Sequence, residues 1–540
     1  MVGLGKAPLR NTTALDALVT EARAIGRPEQ YREVSGRRLM KRRRFLIGTI
    51  TAFAAPAVVG RAQIRNPSSG KLPIPPLMEV GEEAGNQLAA IEGSHSFIAG
   101  TEARVLGWSQ DHLGPTLRMR RGHTARVSIE NRLNEPITAH WHGLHVPGQK
   151  DGGPLSLIAP GREVENLLDI DQPAGTYWYH SHPHGKTGEQ VYRGLAGMLL
   201  IDDHNFSAGD LPHDYGVDDI PVIVQDRAFS GSGGLQYDDD GMTAMQGFRG
   251  DQIAVNGALN PVAKVPKGLV RFRLLNASNS RVYVFRFDDD RSFHQIAGDA
   301  GLLPAPSPRN KLHLAPAERA EILVDFSNGS IASLVSENVP VQMMDGMMGG
   351  GMMGGMMGGM MGGSSETASA EGILQVLRIE VDDSLPAAVA KLPQTLGGAP
   401  IPDFGEPVRR RKSQLNMMMG MGMMGGMFGG RPSLGINGES YDMARIDQEL
   451  RLGETEIWEI SADMMAHPFH VHGTSFQVLS QNGQSVDYAK TGLKDVVWVD
   501  NTAEILIRFD RPATKETPYM YHCHILEHED SGMMGQFTVG

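Results

Sequence analysis

Four His-x-His pairs constrain this 540-residue chain more than any other feature. They stand in His140-Trp141-His142-Gly143, Tyr179-His180-Ser181-His182, His467-Pro468-Phe469-His470-Val471-His472-Gly473 and His522-Cys523-His524, with His528 and Met533 beyond the last. The chain has 19 histidines. Scattered at random they would make roughly one such pair, so four separate blocks need a cause. Side chains two residues apart on a strand leave the same face, so each pair offers two imidazoles to one side. Together they supply eight neutral imidazoles, which suit a cluster of more than one copper ion. A histidine satisfied in a core or at the surface accounts for any one of them but not for the set.

The final block holds a second site of different character. Cys523 is the only cysteine, which excludes an internal disulfide and leaves metal ligation as a reason for a thiol in an exported chain. Lying between His522 and His524, its side chain leaves the opposite face of the strand. One thiolate, two imidazoles and a weak thioether make a blue-copper electron-transfer centre. Cys523, His467, His528 and Met533 supply that set. An electron arriving at Cys523 is then a few bonds from imidazoles of the cluster. A structural zinc site uses four ligands, and this chain offers about a dozen.

The rest of the chain reads as all-β. Alternating runs such as Ala125–Ile129, Val270–Leu274 and Ile505–Phe509 are separated by Gly, Pro, Asn and Asp, the strand and turn signals of a sandwich. The length predicts roughly three domains of 100–200 residues. Two Met/Gly tracts cannot form packed strands and are expected as loops. A Pro-rich stretch from Leu385 to Pro402 reads as a linker. The expected division is an N-terminal extension with signal over 1–62, domains over 63–212 and 213–384, a linker over 385–404, and a domain over 405–540. The Met-rich loop 343–363 falls in the second domain and the Met-rich segment 417–430 in the last.

Arg42-Arg43-Arg44-Phe45-Leu46 reads as a twin-arginine signal, followed by an apolar stretch too short to span a bilayer comfortably. Cleavage is expected near Ala62-Gln63, and Met40 reads as the true start. The expectation is a periplasmic protein, delivered folded by the twin-arginine export machinery, with no stable membrane span and a monomeric state. Without residues 1–62 the formal charge falls from −12 to about −20. Such a surface repels nucleic acid and anionic membrane, and it also serves solubility.

The four blocks resemble the four copper motifs of the multicopper oxidases, in that family's order. The resemblance covers most of the chain beyond the signal, including Arg273-Leu274-Leu275-Asn276-Ala277 and Ala297-Gly298-Asp299-Ala300-Gly301 of the family's middle domain. It implies three cupredoxin-like domains, each a Greek-key β-barrel, with the cluster shared by the first and third. It implies four copper ions: a type 1 ion on His467, Cys523, His528 and Met533; a type 2 ion on His140 and His470; and a type 3 pair on His142, His180, His182, His472, His522 and His524. It also implies that Asp151 and Glu529 serve the cluster's water and proton supply. Read without the resemblance, the first is a turn Asp and the second a solvated Glu. Some relatives keep the fold for non-catalytic work and have lost these ligands, whereas no ligand is missing here.

The Met tracts bear on the substrate. Ten Met fall between 343 and 361 and seven between 417 and 427, and thioethers prefer Cu(I). The richness looks like that of the bacterial periplasmic copper efflux oxidases, which oxidise Cu(I). That resemblance carries the substrate copper to Asp463 and Met465, with Met417 a weaker match. The chain departs from the pattern by lacking an Asp in the segment after Met417, a role Asp345 of the other tract could fill. The expected function is Cu(I) oxidation coupled to four-electron reduction of dioxygen to water, in copper tolerance. The alternatives are a laccase-like oxidase of small phenols or other organics, and a non-enzymatic copper-sequestering protein.

Overall fold

Alternation of burial is most regular in the strand Thr124–Asn131, where Ala125, Val127 and Ile129 point inward and their neighbours are half-exposed. The same two-residue period was read from the sequence, and it recurs through the molecule. A computed structural model describes residues 70–83, 85–203, 211–238, 240–340, 372–387, 389–398, 402–417 and 434–540. The expectations for the export segment, for Asp345 and for the Met tracts beyond Met417 lie outside the described residues. Within them are 33 strands and only short helices, so the all-β class is as expected. The helices are α1 Gly148–Asp151, α2 Thr187–Arg193, α3 Gly241–Gln246, α4 Tyr488–Thr491 and α5 Leu526–Asp530. None among the described residues is long and apolar enough to cross a membrane.

Six sheets form among the described residues, two in each third of the chain. In the first third, a five-stranded sheet runs Leu77–Glu79, Thr116–Arg120, Ala196–Asp202, Gly175–His180, His140–His142. A four-stranded sheet runs Ala103–Trp108, Gln87–His95, Thr124–Asn131, Glu163–Asp169. Trp108, Val127, Trp141, Tyr177 and Leu199 belong to the core cluster that these two sheets share. In the last third, a six-stranded sheet includes Arg409–Met417, Thr455–Ala462 and Thr502–Arg508. Its five-stranded partner runs Gln448–Leu450, Met534–Val539, Tyr519–Cys523, His467–Val471, Val496–Val499. Trp458, Phe469, Phe476, Ile505 and Phe537 fill that core. The middle third repeats the plan around Phe272, Phe285, Phe293 and Ile322. Parallel neighbours such as Arg409–Met417 beside Thr455–Ala462 need connections that cross from sheet to sheet. That is the Greek-key habit of cupredoxin-like barrels.

Candidate metal centre

Strand pairing brings the histidine blocks together two by two. His140–His142 lies antiparallel to Gly175–His180, with His140 opposite His180. His467–Val471 lies antiparallel to Tyr519–Cys523, with His470 opposite His522 and Phe469 opposite Cys523. The first pair of strands faces the second, so imidazoles from the first and last thirds of the chain meet. All eight histidines of the four pairs are buried.

The hydrogen bonds on their outer nitrogens fix what the rings offer inward. His522 Nδ1 donates to the carbonyl of Cys523 at 3.0 Å, and His472 Nδ1 donates to Asp151 Oδ2 at 2.7 Å. The Nε2 atoms of these rings therefore carry lone pairs. Those two atoms nevertheless lie 3.1 Å apart, and His182 Nε2 lies 3.3 Å from His522 Nε2. Two lone pairs cannot hydrogen-bond each other, and a cation among the three rings is what makes the spacing favourable. Donor atoms around one copper or zinc ion stand about 3–4 Å apart, which these distances match. A second convergence is made by His142, His180 and His524, with ring centroids 5.1 to 5.8 Å apart. The third is His140 and His470, whose ring centroids are 5.9 Å apart. Their Nδ1 atoms donate to the carbonyls of Asp151 and Asp495. The inward nitrogens His140 Nε2, His142 Nδ1, His180 Nε2, His470 Nε2 and both nitrogens of His524 are buried without a protein partner. Buried polar atoms without partners are rare, and the imidazole nitrogens gathered here are donors fit to hold metal. Burial lowers the pKa of His522 to about 3 and holds most of the other rings well below the usual range, so they stand neutral as a metal requires.

Cys523 faces the other way, as its place between two cluster histidines predicts. Its Sγ lies 3.4 Å from His467 Nδ1 and 3.6 Å from His528 Nδ1, and the two imidazole nitrogens are 3.2 Å apart. This triangle has the size of three donors around one ion. His528 sits in α5, where its Nε2 donates to the Met245 carbonyl of α3 at 3.1 Å. Met533 follows α5 in the same core cluster as Cys523, and its carbonyl accepts from the Cys523 amide at 3.1 Å.

The two acids are neither a loose turn residue nor a solvated one. Asp151 and Glu529 are fully buried. Asp151 serves His140 with its carbonyl and His472 with its carboxylate. The Glu529 carboxylate stands 3.1 Å from His182 Nδ1 and 3.3 Å from His522 Nδ1. Burial raises its pKa well above the usual carboxylate range, with neighbouring Asp530 adding to the effect. Asp463 is half-buried and follows the strand end where Leu415 pairs with Ala462. Its amide donates to the Leu415 carbonyl at 3.1 Å. Met417 and Met465, two residues beyond each of those positions, are buried in the core that also holds Cys523.

Four further residues escaped the sequence reading. Asp495 and Arg319 form a buried ion pair beside His142, and Glu527 and Asp530 flank His528 and Glu529 in α5. No motif marks them. The one available signal was a Lys-Asp pair, Lys494-Asp495, opening the apolar strand Val496–Val499.

Comparison with known proteins agrees with this geometry. Two family models, both described as multicopper oxidase, match residues 90–205 and 410–540. Among solved structures, the laccase-like multi-copper oxidase CueO of Ochrobactrum sp. is 38% identical, with a TM-score of 0.77 over 87% of this chain and 100% of that one. The chain belongs to the multicopper oxidase family. The Campylobacter jejuni multicopper oxidase, described as a metallo-oxidase, is 26% identical with a TM-score of 0.70, over 88% of this chain and 98% of that one. Among curated proteins, the cell division protein FtsP of Escherichia coli is 36% identical over 93% of this chain and 99% of its own length.

Proposed function

We propose that this chain is a copper-dependent oxidase that takes single electrons from Cu(I) and delivers them to dioxygen. The observation that carries the reading is the joining of two donor sets at one tripeptide: Cys523 turns to His467 and His528, while His522 and His524 turn to the imidazole cluster. Cys523, His467, His528 and Met533 would hold the type 1 ion, and His140 and His470 the type 2 ion. His142, His180 and His524 would hold one ion of the type 3 pair, and His182, His472 and His522 the other. Copper bound there supplies one-electron acceptance at the thiolate and reduction of dioxygen at the cluster. Asp151 orients His472 through its carboxylate, and Asp151 and Glu529 together keep carboxyl groups at the cluster's edge, where protons are needed to form water.

For the substrate, Asp463 with the thioethers of Met465 and Met417 offers a mixed oxygen and sulfur site near His467. A carboxylate beside thioethers holds Cu(I) yet favours the Cu(II) product more than sulfur alone would. The Campylobacter relative's description as a metallo-oxidase supports this reading. The Ochrobactrum relative's activity towards lignin model compounds supports the laccase-like alternative. The double variant Asp463→Ala with Met465→Leu separates them. Cu(I) oxidation, followed as oxygen uptake, should drop about tenfold or more, with small-phenol oxidation unchanged. Equal Cu(I) turnover in variant and wild type rejects the Cu(I) site. Copper bound without any oxygen uptake would favour sequestration.

The twin arginines support periplasmic delivery. Changing Arg42 and Arg43 together to Lys should leave the protein in the cytoplasm on fractionation, and unchanged export would reject that route. A second reading rests on the FtsP relatives, whose name assigns them to cell division and whose identity with this chain runs nearly end to end. If Cys523→Ser restores division in a strain lacking this chain, that reading holds independently of the type 1 copper and so of electron transfer through Cys523.

A further inference from the structure

The middle third of the chain lends no imidazole to the cluster, yet it sends one charged side chain there. Arg319, at the head of the strand Arg319–Asp325, is fully buried. Its guanidinium grips the Asp495 carboxylate in two parallel bonds, Nη1 to Oδ1 at 2.7 Å and Nη2 to Oδ2 at 2.6 Å. Its remaining donors go to the carbonyls of Thr176, Ala317 and Asp299. A bidentate pair with every other donor occupied has little freedom to turn.

Asp495 in turn reaches two cluster histidines. Its Oδ1 accepts from His142 Nε2 at 3.2 Å, and its backbone carbonyl accepts from His470 Nδ1 at 2.7 Å. Both bonds fall on the outer nitrogen of the ring, which leaves His142 Nδ1 and His470 Nε2 to face inward without a protein partner. His142 is turned round relative to its neighbours. His140, His180, His472 and His522 all give Nδ1 to a protein oxygen, while His142 gives Nε2. The fold leaves room for this. Gly143, at φ +87°, lies so close that a Cβ there would come within 2.5 Å of Asp495 Oδ2.

We propose that Asp495, locked by Arg319, is a positioning residue that sets the orientation of His142 and His470 and so determines whether the cluster assembles as a coupled pair with a third ion. The proposal rests on the copper reading above. Asp495 is not itself a ligand in this account, because its oxygens are committed to Arg319 and His142. The carboxylate matters because it has two acceptor oxygens. An asparagine has one, and its amide group would oppose either Arg319 or the His142 N–H, both of which are donors.

The test compares copper-reconstituted wild type, Asp495→Asn, Arg319→Met and, as a control, Lys494→Met. Lys494 makes buried ion pairs with Asp299 and Glu318 in the same region and has no bond to an imidazole. Copper per chain, the blue absorption of the Cys523 site and the electron paramagnetic resonance spectrum are measured on each. A coupled Cu(II) pair gives no resonance signal. The expected result for Asp495→Asn and Arg319→Met is loss of cluster copper, or a new resonance signal from an uncoupled pair, with the blue band kept. Lys494→Met should keep wild-type spectra even if it melts lower. The proposal is overturned if Asp495→Asn keeps full copper and unchanged spectra, if the blue band falls in step with the cluster, or if Lys494→Met loses cluster copper equally. A wild type that takes up no cluster copper overturns the copper reading as well, whereas a loaded wild type with an indifferent Asp495→Asn overturns this proposal alone.

Discussion

Cys523 lies beside His522 and His524 in sequence but turns its sulfur away from the cluster they serve. That arrangement follows from strand geometry alone and is legible in the sequence, as are the eight paired histidines. Cys523→Ser should abolish the blue absorption and leave the cluster's copper in place. A visible spectrum with metal analysis checks this, and a variant that stays blue would reject the thiolate site. Other residues at the centre were not legible, for a physical reason. Asp495 lies 353 residues from His142 in sequence and 176 from Arg319. A carboxylate whose partners are that remote leaves no local periodicity or spacing to read. Asp151 and Glu529 stand between these cases. Their local sequence suits a turn and a solvated surface, and only the resemblance pointed to the cluster against which the fold buries them.

At the scale of one element, α5 does more than its five residues suggest. Its acids turn to three different regions. Glu527 accepts from Asn279 Nδ2 at 2.7 Å, from the Tyr237 hydroxyl at 2.9 Å and from the Phe248 amide at 3.0 Å, all in the middle third. Asp530 accepts from the Thr187 and Gly188 amides at the start of α2, where the helix dipole favours a negative charge. Glu529 stands against the cluster histidines, and His528 lies between these anchors. Glu527→Ala would take one acceptor from each of three donors, the Asn279 amide group, the Tyr237 hydroxyl and the Phe248 amide. It should cost about 1–3 kcal/mol of stability and shift the blue band, since His528 loses its brace. Thermal melting and the visible spectrum measure both effects, and a variant matching wild type in each would show that α5 is held by packing alone. The sequence Leu-Glu-His-Glu-Asp reads as a polar surface turn by composition. Its burial on all sides depends on elements that no local pattern reveals.

The whole molecule carries a consequence of having so many neutral imidazoles inside. Burial depresses His522 to about 3 and His528 to about 4, against about 6.5 in an unfolded chain. A histidine whose folded pKa is depressed takes its proton on unfolding, so acid favours the unfolded state. The contribution is complete above about pH 6.5 and is lost as pH falls toward the folded values. Several rings act together, so the slope should exceed about 1.4 kcal/mol per pH unit. Melting of the copper-free chain between about pH 7.5 and pH 5 should show Tm falling steeply with acid. A flat or rising Tm would reject this account of the centre.

His182 and His522 are 3.3 Å apart in the fold and 340 residues apart in the chain. A ribosome adding about 5–20 residues per second takes roughly 20–70 s to cover that distance. Throughout that interval the emerging chain displays half a cluster, a set of imidazoles that any available divalent ion could occupy out of turn. The correct metal cannot find its full set of donors until both ends of the protein have met. Loading is therefore an event of the finished fold, and the time at which copper is offered matters as much as its supply.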